Sequence, residues 1–215
     1  MQTGSKILRQ VNKRKRFNIL LSVREIEGLL DRLPEDGEVF KFLSTGGFSA
    51  IGFIRFVARR TVIRRLTVST LRVGKKQMQA LHVLHSGQRL DRAEFLIGSF
   101  MKNDSKTGRR YGYYDLFEQI CQRNGWTFAV AQNHSKLLLF DTDAGKFVIE
   151  TSSNLNENPK MEQFSFERSA ELYEFYLTAL EPLLKGGSKF GGQCKISGEP
   201  EEAPDQPGEG GQDGG

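Results

Sequence analysis

The stretch His134-Ser135-Lys136-Leu137-Leu138-Leu139-Phe140-Asp141, followed by Lys146-Phe147-Val148-Ile149-Glu150-Thr151-Ser152-Ser153-Asn154, decides the reading of this chain. Its two apolar runs flank Thr142-Asp143-Ala144-Gly145, a turn signal that predicts a β-hairpin. Residues two apart on a strand share a face, so His134 lies with Lys136, and Ser152 with Asn154. The hairpin brings both pairs to one place. An imidazole, an ammonium, a hydroxyl and an amide that converge make a site for a phosphate. Lys136 and the neutral donors hold its oxygens while the imidazole attacks phosphorus or moves a proton. Such a site asks for no metal and no cofactor, because the side chains themselves meet the charge developing on oxygen.

Upstream of this stretch, apolar segments of two periods alternate. Strands are predicted at Val39–Leu43, Leu66–Leu71, Phe95–Gly98 and Thr127–Ala131. Helices are predicted at Phe48–Arg59, Lys75–His85 and Tyr113–Arg123, the last two closed by Gly87 and by Asn124-Gly125. Strands separated by helices of ten or more residues imply right-handed crossovers, hence an α/β fold with a mostly parallel sheet and helices on both faces. A final helix is predicted over Arg168–Leu184, with Pro182 in its last turn. Three regions follow: an N-terminal helical segment over 1–37, a folded domain over 38–185, and a Gly/Pro/acid-rich tail over 186–215 that is expected to be disordered. The helical reading of the first segment rests on apolar spacings of three and four from Ile7 to Leu33.

The residues His-x-Lys, four more, Asp, and then Ser-x-Asn resemble the HKD motif of the phospholipase D superfamily. The resemblance covers roughly 38–184 and implies that superfamily's α/β sandwich. It also implies that His134 is the nucleophile and forms a phosphohistidine, and that Lys136 and Asn154 bind phosphoryl oxygens with Ser152 in support. Asp141 matches the motif's structural aspartate, and Glu162 resembles an acid that orients a catalytic histidine. Members of the family use two motifs per site, one histidine attacking and the other protonating the leaving oxygen. This chain has one motif, so a homodimer that brings two copies of His134 together is implied.

A formal charge of +5 understates the body, because Glu199, Glu201, Glu202, Asp205, Glu209 and Asp213 all fall after Lys195, where the chain has no lysine or arginine. A basic body suits a polyanion, either nucleic acid or a membrane surface. The expected partner is DNA or RNA. Ser44 and Thr45, at a strand-to-helix turn, and Lys106, Arg109 and Arg110, in a loop with aromatic neighbours, are candidate substrate contacts. His82 and His85, three apart on a helix and without carboxylate or thiol company, read as an ordinary helix face and not as metal ligands.

Two cysteines, Cys121 and Cys194, give no disulfide framework, and the Ile19-Leu20-Leu21 patch is too short for a signal sequence or a membrane span. A cytoplasmic protein is the expectation. Together these readings describe a metal-independent phosphodiesterase, a small dimeric endonuclease of the phospholipase D kind. Two alternatives stay open: a phospholipase or phosphatidyl transferase, and a nucleic-acid-binding module of the same fold without turnover.

Overall fold

The structure, a computed structural model, describes residues 14–20, 26–106, 113–157, 159–186 and 195–196. In chain order the elements are β1 (Arg14–Leu20), α1 (Ile26–Leu29), β2 (Glu38–Ser44), α2 (Ile51–Arg60), β3 (Ile63–Thr70), α3 (Lys75–Ser86), β4 (Leu90–Gly98), α4 (Ser99–Lys106) and α5 (Tyr114–Asn124). They continue with β5 (Thr127–Ala131), β6 (Leu137–Thr142), β7 (Gly145–Thr151), β8 (Glu162–Arg168), α6 (Ala170–Leu184) and β9 (Lys195–Ile196). The α/β class predicted from the alternation is what the chain adopts.

One sheet holds all these strands in the order β1-β2-β8-β7-β6-β3-β4-β5-β9. It is mixed, which corrects the mostly parallel expectation. Only β1·β2, β3·β4 and β4·β5 run parallel, and the antiparallel set β6-β7-β8 is inserted between β2 and β3. The hairpin is therefore central to the sheet, and β8 closes it against β2 in a register that pairs Ser44 with Glu162.

Helices cover both faces, as predicted. Along β6, Leu138 and Phe140 join the core under α2, α3 and α5, while Leu137 and Leu139 join a second cluster with Tyr173, Leu177 and Leu180 of α6. A strand buried on both sides needs apolar residues in unbroken sequence, which is why Leu137–Phe140 carries no alternation. Phe53 of α2 centres the larger core, with ring centroids 5.1–5.8 Å from Phe42, Phe48, Phe164 and Phe166. Gly125 ends α5 at φ 65°, a left-handed position that suits glycine at a helix C-terminus.

The N-terminal segment differs from the helical expectation. Residues 14–20 form a strand that pairs residue for residue with β2 over seven positions, and Ile26–Leu29 is the helical part of this segment among the described residues; residues 1–13 and 21–25 lie outside them. Over the described residues, the spacing of three and four falls on a strand and a short helix. Phe17, Asn18 and Ile19 are poor helix formers, and the open edge of β2 supplies backbone partners instead. Within the expected tail, Lys195 and Ile196 pair with Val130 and Ala129, so this segment also contributes to the sheet.

A candidate phosphate site at one end of the sheet

β2, β3, β4 and β5 all end at the same edge of the sheet, where β6 and β8 begin and β7 finishes. Open α/β sheets bind ligands beyond the carboxyl ends of their parallel strands, because the loops there are free to vary. His134 and Lys136 enter β6 at this end. The amide of Thr151 donates to the Lys136 carbonyl at 3.2 Å and that of Ser152 to the Gln163 carbonyl at 3.2 Å, so the far arm of the hairpin and β8 run alongside.

His134 is exposed, and Lys136 is half-buried beside it. The Lys136 Nζ lies 2.9 Å from His134 Nδ1 and also donates to the His134 carbonyl oxygen. Burial lowers the Lys136 ammonium from its usual range, and the negative charge of Glu162 acts in the opposite direction. Ser152 Oγ donates to the Glu162 carboxylate and accepts from the Gln163 amide at 3.0 Å. Asn154 Oδ1 accepts from the Leu71 amide at 3.3 Å, which fixes that side chain at the end of β3 and leaves its amide nitrogen to donate elsewhere. Thus His134 meets Lys136, Ser152 meets Glu162, and the Glu162 charge reaches Lys136.

Several residues that hold this arrangement escaped the sequence reading. Asn133 donates to Ser69 Oγ, the Thr70 carbonyl and the Leu96 carbonyl, at 3.0, 3.3 and 2.9 Å, while its Oδ1 accepts from Ser135 N and Oγ. Its one amide therefore ties the segment that carries His134 to the ends of β3 and β4. Thr151 Oγ1 accepts from Ser153 N at 2.9 Å and turns the chain out of β7 toward Asn154. Thr70 Oγ1 accepts from Leu155 N at 3.1 Å and anchors the next residue. The available signal was a polar residue at each strand terminus, Ser69-Thr70 and Asn133, where an apolar run should stop.

The remaining candidates divide. Ser44 is fully buried and its Oγ accepts from the Glu162 amide at 3.2 Å, so it positions Glu162 and does not reach the rim; Thr45 is exposed. Asp141 stands at the opposite end of β6, opposite Arg65 on β3 and Lys146 on β7, away from His134. Lys106 is the last residue of α4, and Arg109 and Arg110 lie outside the described residues. His82 Nδ1 is 2.9 Å from Asn124 Oδ1, and His85 Nδ1 is 2.8 Å from the Leu90 carbonyl with its ring edge-on to Trp126. Both imidazoles fasten α3 to its neighbours. Cys121 is buried and its thiol is pushed up to about 12, while Cys194 lies outside the described residues. Among the described residues, no three His, Cys, Asp or Glu side chains stand where they could share a metal ion. No helix among them is long and apolar enough to cross a membrane.

No family model and no curated protein matches the chain. Among solved structures, the phosphatidylserine synthase of Haemophilus influenzae Rd KW20 is 13% identical with a TM-score of 0.47, over 74% of this chain and 39% of that one. The polyphosphate kinase of Porphyromonas gingivalis is 10% identical with a TM-score of 0.49, over 81% of this chain and 26% of that one. The chain thus spans well under half the length of either.

Proposed function

We propose that the chain is a metal-independent phosphodiesterase of the phospholipase D kind, a nuclease that works through a phosphohistidine at a site shared by two copies. The observation that carries this reading is the contact between His134 Nδ1 and Lys136 Nζ at the open end of the sheet. An ammonium and an imidazole lie together there, with Asn154 anchored nearby through its oxygen. The Lys136 ammonium can turn from the imidazole to the oxygens of an anion, and a phosphodiester is an anion that the imidazole can also attack.

With the ammonium donating to Nδ1, the neutral imidazole carries its proton on Nε2. An arriving phosphate draws Lys136 to its oxygens and frees Nδ1; solvent at the exposed ring takes the Nε2 proton and returns one to Nδ1, which leaves the Nε2 lone pair for phosphorus. A P–N bond forms and a P–O bond breaks. The leaving oxygen takes a proton from His134 of the partner subunit, which enters the reaction as imidazolium. Water then attacks the phosphohistidine and gives its proton to that same partner imidazole, restoring both.

The net positive charge of the chain suits a polyanion such as nucleic acid. The test is incubation of purified protein with bis(p-nitrophenyl) phosphate, plasmid, single-stranded DNA and RNA in excess chelator. Hydrolysis of the ester and of at least one nucleic acid should persist. Activity that disappears with chelator and returns with magnesium would overturn the mechanism.

A further inference from the structure

A cleft beside the phosphate site is lined by Arg72, Phe100, Tyr113 and Asn156 among others. Its composition is unlike that of the site itself. Phe100 is 45% exposed and Tyr113 is 38% exposed, both large rings left open to solvent. The Arg72 guanidinium lies over the Phe100 ring, 4.8 Å from its centroid, which makes a flat cationic stack. Asn156 Oδ1 is enclosed and has no hydrogen-bond donor among the described residues, although it borders the cleft. A buried acceptor left unpaired is costly, and a turn of that side chain into the cleft would offer it to a ligand N–H.

The cleft and the phosphate site are built on the same backbone segments. Leu71 N holds Asn154, and the next residue is Arg72. Gly74 N donates to the Leu155 carbonyl at 2.9 Å, which fixes the strip from Asn154 to Asn156 against the chain leaving β3. On the other side Phe100 follows Gly98 by two residues. A Cβ on Gly98 would stand 2.9 Å from the Asn133 carbonyl oxygen, so only glycine lets β4 end this close to the segment carrying His134. Asn154 and Asn156 are two residues apart, roughly 7 Å of chain at most, within the reach of one nucleotide.

From this geometry we infer a nucleobase subsite: the cleft takes an unstacked base of a single strand next to the scissile phosphate. The base stacks on Phe100 and Arg72 with Tyr113 at its side, and an N–H on its edge meets Asn156. This rests on the phosphodiesterase reading and adds to it a substrate class, single-stranded nucleic acid. An acyl chain brings no N–H donor and gains nothing from a guanidinium, whereas every base has a π-face and stacks on aromatic side chains and Arg without sequence preference.

The test uses fluorescein-labelled dT12 and a twelve-residue abasic strand with the same phosphates, binding in the His134→Asn background so that nothing is cleaved. Anisotropy at fixed salt should show dT12 bound more tightly than the abasic strand. Phe100→Ala should weaken dT12 by roughly five- to a hundredfold, the usual range for one stacked base. The same change should leave the abasic strand within about twofold, and Phe100→Trp should retain dT12 binding. Equal affinity for the two strands, or equal loss of both in Phe100→Ala, overturns the subsite. So does a Phe100-dependent affinity for phosphatidylglycerol vesicles that dT12 lacks. Should Phe100→Ala fail to fold, the comparison of the two strands on unaltered Phe100 still decides. Hydrolysis of bis(p-nitrophenyl) phosphate by chain with His134 intact separates the two claims. Its absence strikes the phosphodiesterase reading while the strand comparison judges the cleft.

Discussion

The two ends of the sheet use the same kinds of side chain in opposite ways. Where β3 and β4 begin, cations are closed on carboxylates. Arg64 grips Asp143 at 2.6 and 2.9 Å and reaches Asp91 at 2.9 Å, while Arg65 and Arg92 both close on the buried Glu94. At the start of β2, Arg32 holds the buried Glu38 through two bonds of 2.6 and 3.0 Å. Where β3 and β4 end, the Lys136 ammonium turns to an imidazole. The first end has its charges matched within the fold, which fixes strand starts; the second sets the Lys136 ammonium against the exposed His134 imidazole, with the Glu162 charge acting on it. Stability and chemistry are thereby separated along single strands, and substitutions at the two ends should separate them too.

The largest effect belongs to His134→Asn, which removes the proposed nucleophile and should lower kcat on a phosphodiester by about four orders of magnitude or more. Its melting temperature should stay within a degree or two of the parent, because the ring is exposed. A large loss of stability would mean that the imidazole is a packing residue and that the contrast between the ends is false. Next comes Lys136→Met, which keeps the stem and deletes the charge. A fall of roughly 10²- to 10³-fold in kcat is expected from losing one charge-stabilising donor. A change confined to KM would instead assign Lys136 to ground-state binding.

At the opposite end the signs reverse. Glu94→Gln leaves Arg65 and Arg92 without their shared carboxylate and should cost about 1–3 kcal/mol of stability in urea unfolding, with kcat per folded molecule unchanged. Loss of activity without loss of stability would contradict the account. A finer test is acid titration. The Arg32 guanidinium, bonded to Glu38, holds that carboxyl down at about 2, below its ordinary 4.5. A depressed carboxyl contributes stability that is full above its unfolded value and disappears as pH falls from about 4.5 toward 2. The stability gap between the parent and Glu38→Gln should therefore narrow across that window. A gap that stays constant would show that the Arg32 pair does not set this titration.

Much of this could be read from the residues because the relevant signals are local. The hairpin turn and the spacing of His134 and Lys136 lie within a few residues of chain, and each element from β2 to β5 carries its own short period. The strand β8 was missed although Phe164 and Phe166 alternate, because it sits between a loop and α6 without a turn signal on both sides. The mixed order of the sheet depends on β8 reaching β2 across more than a hundred residues, and no local period encodes that choice. The same limit hid Asn133: its three carbonyl and hydroxyl partners come from Ser69, Thr70 and Leu96, so its role exists only once β3, β4 and the hairpin are side by side.

The central claim is that two copies of His134 make one site, and subunit mixing tests it most directly. Wild-type chain and His134→Asn are combined at varied ratios under verified exchange, and hydrolysis of bis(p-nitrophenyl) phosphate is measured in chelator. A heterodimer has a single imidazole and lacks either nucleophile or acid, so activity should fall as the square of the wild-type fraction. A linear fall, with exchange demonstrated, would contradict the shared site and leave each chain to work alone.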